Sequence, residues 1–195
     1  MVLAAPEVPL VSRIRLLQRA KEHQAFTAAS FVSGEMEIVR EKKLLTYIDL
    51  LAVNIDEAAL LGGISRREKV EKIVKACTQA AQAANPAIQM TITNGGKGAY
   101  ACEGEQRLFL PSLKVLVANT AGAGDAWLSG LLLGTLQGLP FISNDSINCV
   151  ELARLVSAMS VMSGDTINFA INKQTLASFA SKQGRGNLIR TLYNG

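Results

Sequence analysis

The sequence is short of the residues from which many catalytic centres are built. It has one histidine, His23, in 195 residues. That excludes a multi-histidine metal site and leaves a Ser-His-Asp triad only His23 to use. His23 follows Lys21 and Glu22 in an amphipathic helical stretch, the setting of a solvated surface side chain. The three cysteines, Cys77, Cys102 and Cys149, are odd in number, widely spaced and without a CxxC pair. They read as small buried hydrophobes in a reducing compartment rather than as a disulfide framework or a zinc site. Apolar runs such as Leu131-Leu132-Leu133 fall far short of the ~18 residues a membrane span needs. Residues 1–10 lack a basic start and contain Pro6, Glu7 and Pro9, which does not read as a signal peptide. Neither sign of charge is in large excess: 20 Lys and Arg face 16 Asp and Glu, for a net +4. Lys42-Lys43 and Arg66-Arg67 sit among Glu41, Glu68 and Glu71, so they read as solvated helix faces rather than a nucleic-acid footprint. Apolar residues at 49% and charged residues at 18% are a globular balance. The expectation is one cytoplasmic globular domain over residues 1–195 that contacts neither nucleic acid nor membrane.

What is present is an alternation of short apolar runs with helical patterns. Val2–Ala5, Ala25–Ala29, Leu50–Val53 and Ile88–Thr93 read as strands. Between them lie helical stretches. The first runs from Pro9 to about His23, with Ile14, Leu16, Leu17 and Ala20 as its apolar stripe. The next covers Glu35 to about Leu45, and a short one opens at Asp56-Glu57 and stops at Gly62-Gly63. Another is capped by Ser65 with Glu68 in a capping box and runs to about Ala84. Gly98–Cys102 and Arg107–Leu110 read as antiparallel edge strands beyond the Asn94-Gly95-Gly96 turn. Helices then cover Gly124–Gln137, Ile147–Met162 and Lys173–Ser181, before a weakly patterned tail from Gly184. Strands separated by helices imply an α/β fold with a predominantly parallel sheet and helices on both faces.

In such sheets ligands bind beyond the carboxyl ends of the strands. Three polar clusters fall at predicted strand ends: Asn54-Ile55-Asp56-Glu57, Thr93 through Gly98, and Asn119-Thr120-Ala121-Gly122-Ala123-Gly124-Asp125. The small residues of the third let a ligand approach the backbone. The helix behind them directs free N–H groups outward, a setting suited to phosphate. Asp125 adds a carboxylate that can accept a proton from an attacking hydroxyl. Taken alone, Asp125 reads first as a favourable acid in a helix's first turn, and Asn54 with Glu57 equally as a capping box. Thr93, Gly95 and Gly98 read alone as a hairpin turn, and Lys97 as its solvated lysine. No GxxxxGK[ST] is present, because Lys97 precedes Gly98, and Gly122-Ala123-Gly124 lacks the third glycine of the dinucleotide fingerprint.

The segment Asn119–Asp125, followed by Ala126-Trp127-Leu128-Ser129-Gly130, resembles the second signature of the ribokinase-like (PfkB) carbohydrate kinases. Asn54-Ile55-Asp56-Glu57 resembles that family's Asn-x-x-Glu element, and Thr93-x-Gly95-x-x-Gly98 its nucleotide loop. Ala4–Pro9 resembles a family segment in which a glutamate, here Glu7, precedes a proline near the sugar. The resemblance implies a ribokinase-like, Rossmann-like fold without the family's N-terminal strands and lid. It also implies an ATP-dependent phosphotransferase, or its nucleotide-binding portion, acting on a hydroxymethyl group of a sugar or sugar-like substrate. On it, Asp125 is the catalytic base and touches the substrate, as Glu7 does. The backbone of Gly122, Ala123 and Gly124 forms the anion hole. Asn54 and Glu57 organise Mg²⁺ and phosphates, with Glu57 on the metal side, and Thr93, Gly95 and Gly98 line ATP.

Three departures mark the chain as divergent. Asn119 stands where the signature opens with an acid that helps hold a monovalent cation in several members, which counts against cation activation. Arg154 is the nearest match to an Asn that meets adenine in the family, and Ala28-Ala29 replace an Asp or Asn. A non-catalytic nucleotide-binding or regulatory protein of the same descent is the alternative, and a plain α/β interaction domain a third reading. A sheet lacking its first strands is expected to form a homo-oligomer or to pair with the missing N-terminal segment.

Overall fold

The structure, a computed structural model, describes residues 1–144 and 146–186. The end of the weakly patterned tail lies outside them. The chain divides into two compact units, residues 1–95 with 99–108, and residues 96–98 with the described part of 109–195.

The first unit is built on a sheet of six strands in the order β1 (Val2–Ala4), β2 (Thr27–Ala29), β3 (Leu50–Asn54), β4 (Gln89–Thr93), β5 (Ala99–Glu103) and β6 (Gln106–Leu110). The pairs β1–β2, β2–β3 and β3–β4 are parallel, and β4–β5 is antiparallel. Helices α1 (Leu10–Glu22), α2 (Met36–Glu41), α3 (Ile55–Leu61) and α4 (Val70–Ala84) connect the parallel strands. This is the mostly parallel α/β sheet that the alternation of patterns implies. Successive residues of β3, Leu50 through Val53, are all buried. An unbroken apolar run rather than an alternating one marks a strand covered on both faces. Both Ala28 and Ala29 are fully buried for the same reason. Leu17, Phe31, Met36, Val39, Leu51 and Met90 belong to one core cluster.

Three local expectations are corrected. The inward stripe of α1 is Arg13, Leu17 and Ala20, whereas Leu16 is 41% exposed. The stretch from Glu35 to Leu45 is not one helix: α2 stops at Glu41, and Lys43 adopts the left-handed region at φ 50°. The chain reverses there and carries both Leu44 and Leu45 into the core. The Ser65–Glu68 capping box does not form, because α4 starts only at Val70. Ser65 Oγ instead accepts the Arg67 N–H at 3.2 Å, and the Glu68 carboxylate turns outward to Lys72 at 3.1 Å.

The second unit contains α5 (Ala123–Leu136), α6 (Cys149–Ser160) and α7 (Lys173–Lys182). Gly130 and Gly134 form the seam of α5 against α6. A Cβ on Gly130 would lie 2.5 Å from Ala153 Cα, and one on Gly134 2.9 Å from Cys149 Cα. Leu152, Leu155, Leu176 and Phe179 form the core between α6 and α7. Ser157 Oγ donates to the Ala123 carbonyl at 3.1 Å, which ties the first residue of α5 to α6. All three cysteines are free and buried, as their spacing predicts. Among the described residues, no helix is long and apolar enough to cross a membrane.

Candidate active site

The parallel register of β1 to β4 carries Ala5–Pro9, Ser30, Asn54 and Thr93 to one end of the sheet. Asn54 and Thr93 are direct neighbours in that register, and Thr93 Oγ1 lies 3.5 Å from the Val53 carbonyl. The first two predicted clusters are therefore brought together within the first unit through Asn54, Glu57, Thr93 and Gly95. Glu7 lies at the same end and is exposed.

Asn54 and Glu57 do form a capping box. Asn54 Oδ1 accepts the N–H groups of Asp56 and Glu57, both at 2.9 Å, and Glu57 Oε2 accepts the Asn54 N–H at 2.8 Å. This geometry orients the Glu57 carboxylate and occupies one of its oxygens. Burial pushes the Glu57 carboxyl above its ordinary range, against the opposing pull of the Asn54 hydrogen bonds. A raised carboxyl in the folded state favours the protonated form. Stability is thus lost as pH rises from the unfolded value of 4.5 through the raised folded one. Glu57→Gln keeps the box but removes the ionisation. Urea midpoints between pH 4 and 7 should show native protein falling relative to Glu57→Gln as pH rises. A constant difference across that range would refute the assignment.

The third cluster and Gly98 belong to the second unit. Gly122 is the N-cap of α5, at φ 75°, with no side-chain cap. A Cβ there would sit 2.5 Å from the Thr166 carbonyl oxygen, so the fold itself requires glycine. Gly98 is similarly constrained, at φ 122° with a Cβ position overlapping the Leu110 carbonyl. Gly124 differs: it has ordinary φ, and nothing lies within 4 Å of its missing Cβ. A glycine in a helix's first turn, without backbone need, is unfavourable by up to about 1 kcal/mol relative to alanine. It leaves open space in front of the helix terminus. The Ala123 N–H donates to the Thr120 carbonyl at 3.3 Å. No acceptor among the described residues meets the N–H groups of Gly122, Gly124 or Asp125. The N–H groups left without an acceptor are therefore those of Gly122, Gly124 and Asp125, whereas that of Ala123 is engaged. Asp125 is the third residue of α5 and exposed.

Two side chains and one stretch of backbone that sequence reasoning left without a role hold these parts. Asn119 Oδ1 accepts the Ala121 N–H at 3.0 Å, and its Nδ2 donates to the Gly164 carbonyl at 3.0 Å. An aspartate could accept the first bond but could not donate the second. Ser157 fixes the start of α5, and the Thr166 backbone closes over Gly122. Arg154 is held within the second unit. It is buried, its Nη2 is 2.6 Å from Glu151, and its Nη1 donates to the Pro111 carbonyl at 3.1 Å. Lys97 is exposed at the end of its turn.

A sequence profile of the pfkB family carbohydrate kinases matches residues 6–173. The chain belongs to the pfkB family. It is 28% identical, over 130 residues, to the bifunctional ribokinase/ribose-5-phosphate isomerase A of Fructilactobacillus sanfranciscensis; the match covers 67% of this chain and 23% of that protein. Among solved structures, ribokinase from Cryptococcus neoformans var. grubii serotype A in complex with ADP superposes with a TM-score of 0.72. Identity is 18%, over 92% of this chain and 59% of that one. Aminoimidazole riboside kinase from Salmonella enterica, complexed with aminoimidazole riboside and an ATP analog, gives a TM-score of 0.67. Here identity is 18%, over 86% of this chain and 56% of that one. At these identities the likeness establishes a shared fold. This pfkB chain spans about a quarter of the curated relative it matches and a little over half of the solved kinases.

Proposed function

We propose that this pfkB chain is the phosphoryl-transfer part of an ATP-dependent kinase whose acceptor is a hydroxymethyl group of a sugar or sugar-like molecule. The observation that carries the reading is the start of α5. There an uncapped helix terminus, a glycine facing open space and a carboxylate follow one another within the four residues 122–125. The N–H groups of Gly124 and Asp125 take up negative charge on the transferring phosphoryl group, helped by the positive end of α5. The Asp125 carboxylate accepts the proton of the attacking hydroxyl. Thr93, Gly95 and Gly98 serve the nucleotide, and Glu7 the acceptor.

The donor chemistry of these residues suits Mg²⁺ in one particular manner. Among the described residues no group of three or more His, Cys, Asp or Glu could grip an ion directly. Glu57 offers one oriented carboxylate, and Mg²⁺ is commonly held by one or two carboxylates together with substrate phosphates and water. Glu57, oriented by Asn54, is thus the residue that would hold it. When bound, the ion would neutralise phosphate charge. Asn119 gives its amide hydrogen to Gly164 rather than presenting a carboxylate, which supports activity without a monovalent cation.

Calorimetry tests the nucleotide part. ATP and ADP with Mg²⁺ should each give a saturable binding isotherm, weak because an open site orders its ligand poorly, and unchanged when Na⁺ replaces K⁺. Silence at millimolar nucleotide, on protein shown to be folded, would remove the reading.

A second reading, nucleotide binding without transfer, is favoured by the exposure of Asp125, since general-base transfer works best in a site closed to water. ADP release that is the same with and without a panel of sugars would select it.

The partner expectation rests on β1, which ends the strand order with Leu3 40% exposed. On α1, Val11 is 76% exposed as well. An unpaired edge beside exposed apolar residues favours association with a second chain. Light scattering should return a mass above the monomer's 20.8 kDa. A monomer at 100 μM would count against it.

A further inference from the structure

We infer that Arg13 is a positioning residue that fixes the segment carrying Glu7; the link to the acceptor rests on the kinase reading above. Arg13 lies in the first turns of α1 and is 1% exposed. Its Nε donates to the Val8 carbonyl at 2.7 Å, its Nη1 donates to the Ser30 carbonyl at 3.2 Å, and its Nη2 pairs with Glu35 Oε1. The guanidinium carbon stands 5.4 Å above the centre of the Phe31 ring. One buried cation therefore joins the residues following β1, the residues following β2, and the 3₁₀ turn at Ser33–Glu35.

The segment it holds is short and specific. Val8 N–H donates to the Ala5 carbonyl at 3.3 Å, closing a four-residue turn with Glu7 as its third residue. The Val8 carbonyl is then fixed by Arg13 from behind. Glu35, the counter-charge, is held in turn by the Val32 N–H at 3.2 Å on its other oxygen. Burying a guanidinium is unfavourable unless each partner is supplied, and an apolar side chain of similar volume commonly serves packing as well. Packing alone therefore does not account for an arginine on the inward stripe of α1. A planar fork that reaches three acceptors on two loops does, and lysine cannot copy it.

The test reads the turn directly and needs neither nucleotide nor acceptor. A nitroxide label is placed through Glu7→Cys, and separately through Val11→Cys on the exposed face of the same helix. The three native thiols are buried, and unlabelled wild-type background is subtracted. In native protein the label at 7 should be restricted. In Arg13→Lys its rotational correlation time should fall at least ~3-fold, with the label at 11 unchanged. An unmoved label at 7, or labels at 7 and 11 loosening together, would overturn the inference. Should Arg13→Lys not fold, Glu35→Gln keeps the arginine and removes its counter-charge; the label at 7 must then loosen while that at 11 does not. ADP calorimetry on the same variants separates the two ideas. Failure of native protein to bind ADP sinks the kinase reading while the label result stands. Loss of ADP binding in Arg13→Lys alone would overturn the inference, because the clamp would then serve more than Glu7's turn.

Discussion

Asp125→Asn is expected to lower acceptor-dependent ADP release at least ~10²-fold while leaving ADP affinity within about twofold. The split follows from where the side chain stands. Among the described residues, the side chain of the third residue of α5 makes no hydrogen bond or ion pair that holds the helix terminus together. Gly122 is fixed by Thr166, Ala123 by Ser157, and the approach to them by Asn119. Asparagine preserves size and leaves the N–H groups of Gly124 and Asp125 where they are. It removes only the capacity to accept a proton, and one lost charge at a helix N-terminus changes helix stability by roughly 0.3–1 kcal/mol. A hundredfold loss in rate is about 2.7 kcal/mol of transition-state stabilisation, so the two effects are separable. Turnover equal to that of native protein would reject Asp125 as the base. Equal losses of turnover and of nucleotide affinity would instead make it a binding residue.

The parts of this structure that can be read from sequence are those set by local pattern. Leu50–Val53 is recognisable because a strand buried on both faces needs an unbroken apolar run, and Ile88–Thr93 because Ile88, Met90 and Ile92 alternate with polar residues; turn residues bracket each. Asn54 and Glu57 are recognisable because a capping box is complete within four residues. What escapes is set by partners far away in sequence. Arg13 looks like one of many charged residues of α1 until Ser30 and Glu35 are placed beside it. Asn119 reads as a flaw in a signature until Gly164, 45 residues on, is found to accept its amide hydrogen. Ser65 and Glu68 show the opposite error. The local pattern is present, yet two other bonds, to Arg67 and Lys72, take the side chains that the pattern would use. The glycines of the third cluster divide in the same way, since sequence spacing cannot say which of them the backbone requires and which are free.

That division carries the second large effect. Gly122→Ala and Gly124→Ala, two positions apart, should move in opposite directions. At Gly122 a β-carbon must adopt φ 75° and approach the Thr166 carbonyl oxygen to 2.5 Å. The left-handed conformation alone is unfavourable by about 1–2 kcal/mol, and the overlap adds strain, so a loss of about 2–4 kcal/mol is expected. At Gly124 nothing lies within 4 Å and the backbone is ordinary helix. Alanine there should stabilise the protein by up to about 1 kcal/mol. The same methyl group fills the space in front of the open N–H donors, where the phosphate is proposed to sit. ADP affinity of Gly124→Ala should therefore fall roughly tenfold, about 1.4 kcal/mol, in a protein more stable than the native one. Urea denaturation and ADP calorimetry on the two variants decide the matter. Gly122→Ala as stable as native protein would refute the steric assignment. Gly124→Ala binding ADP as native protein does would show that no ligand comes close to this helix terminus, and the anion site at the start of α5 would be lost with it.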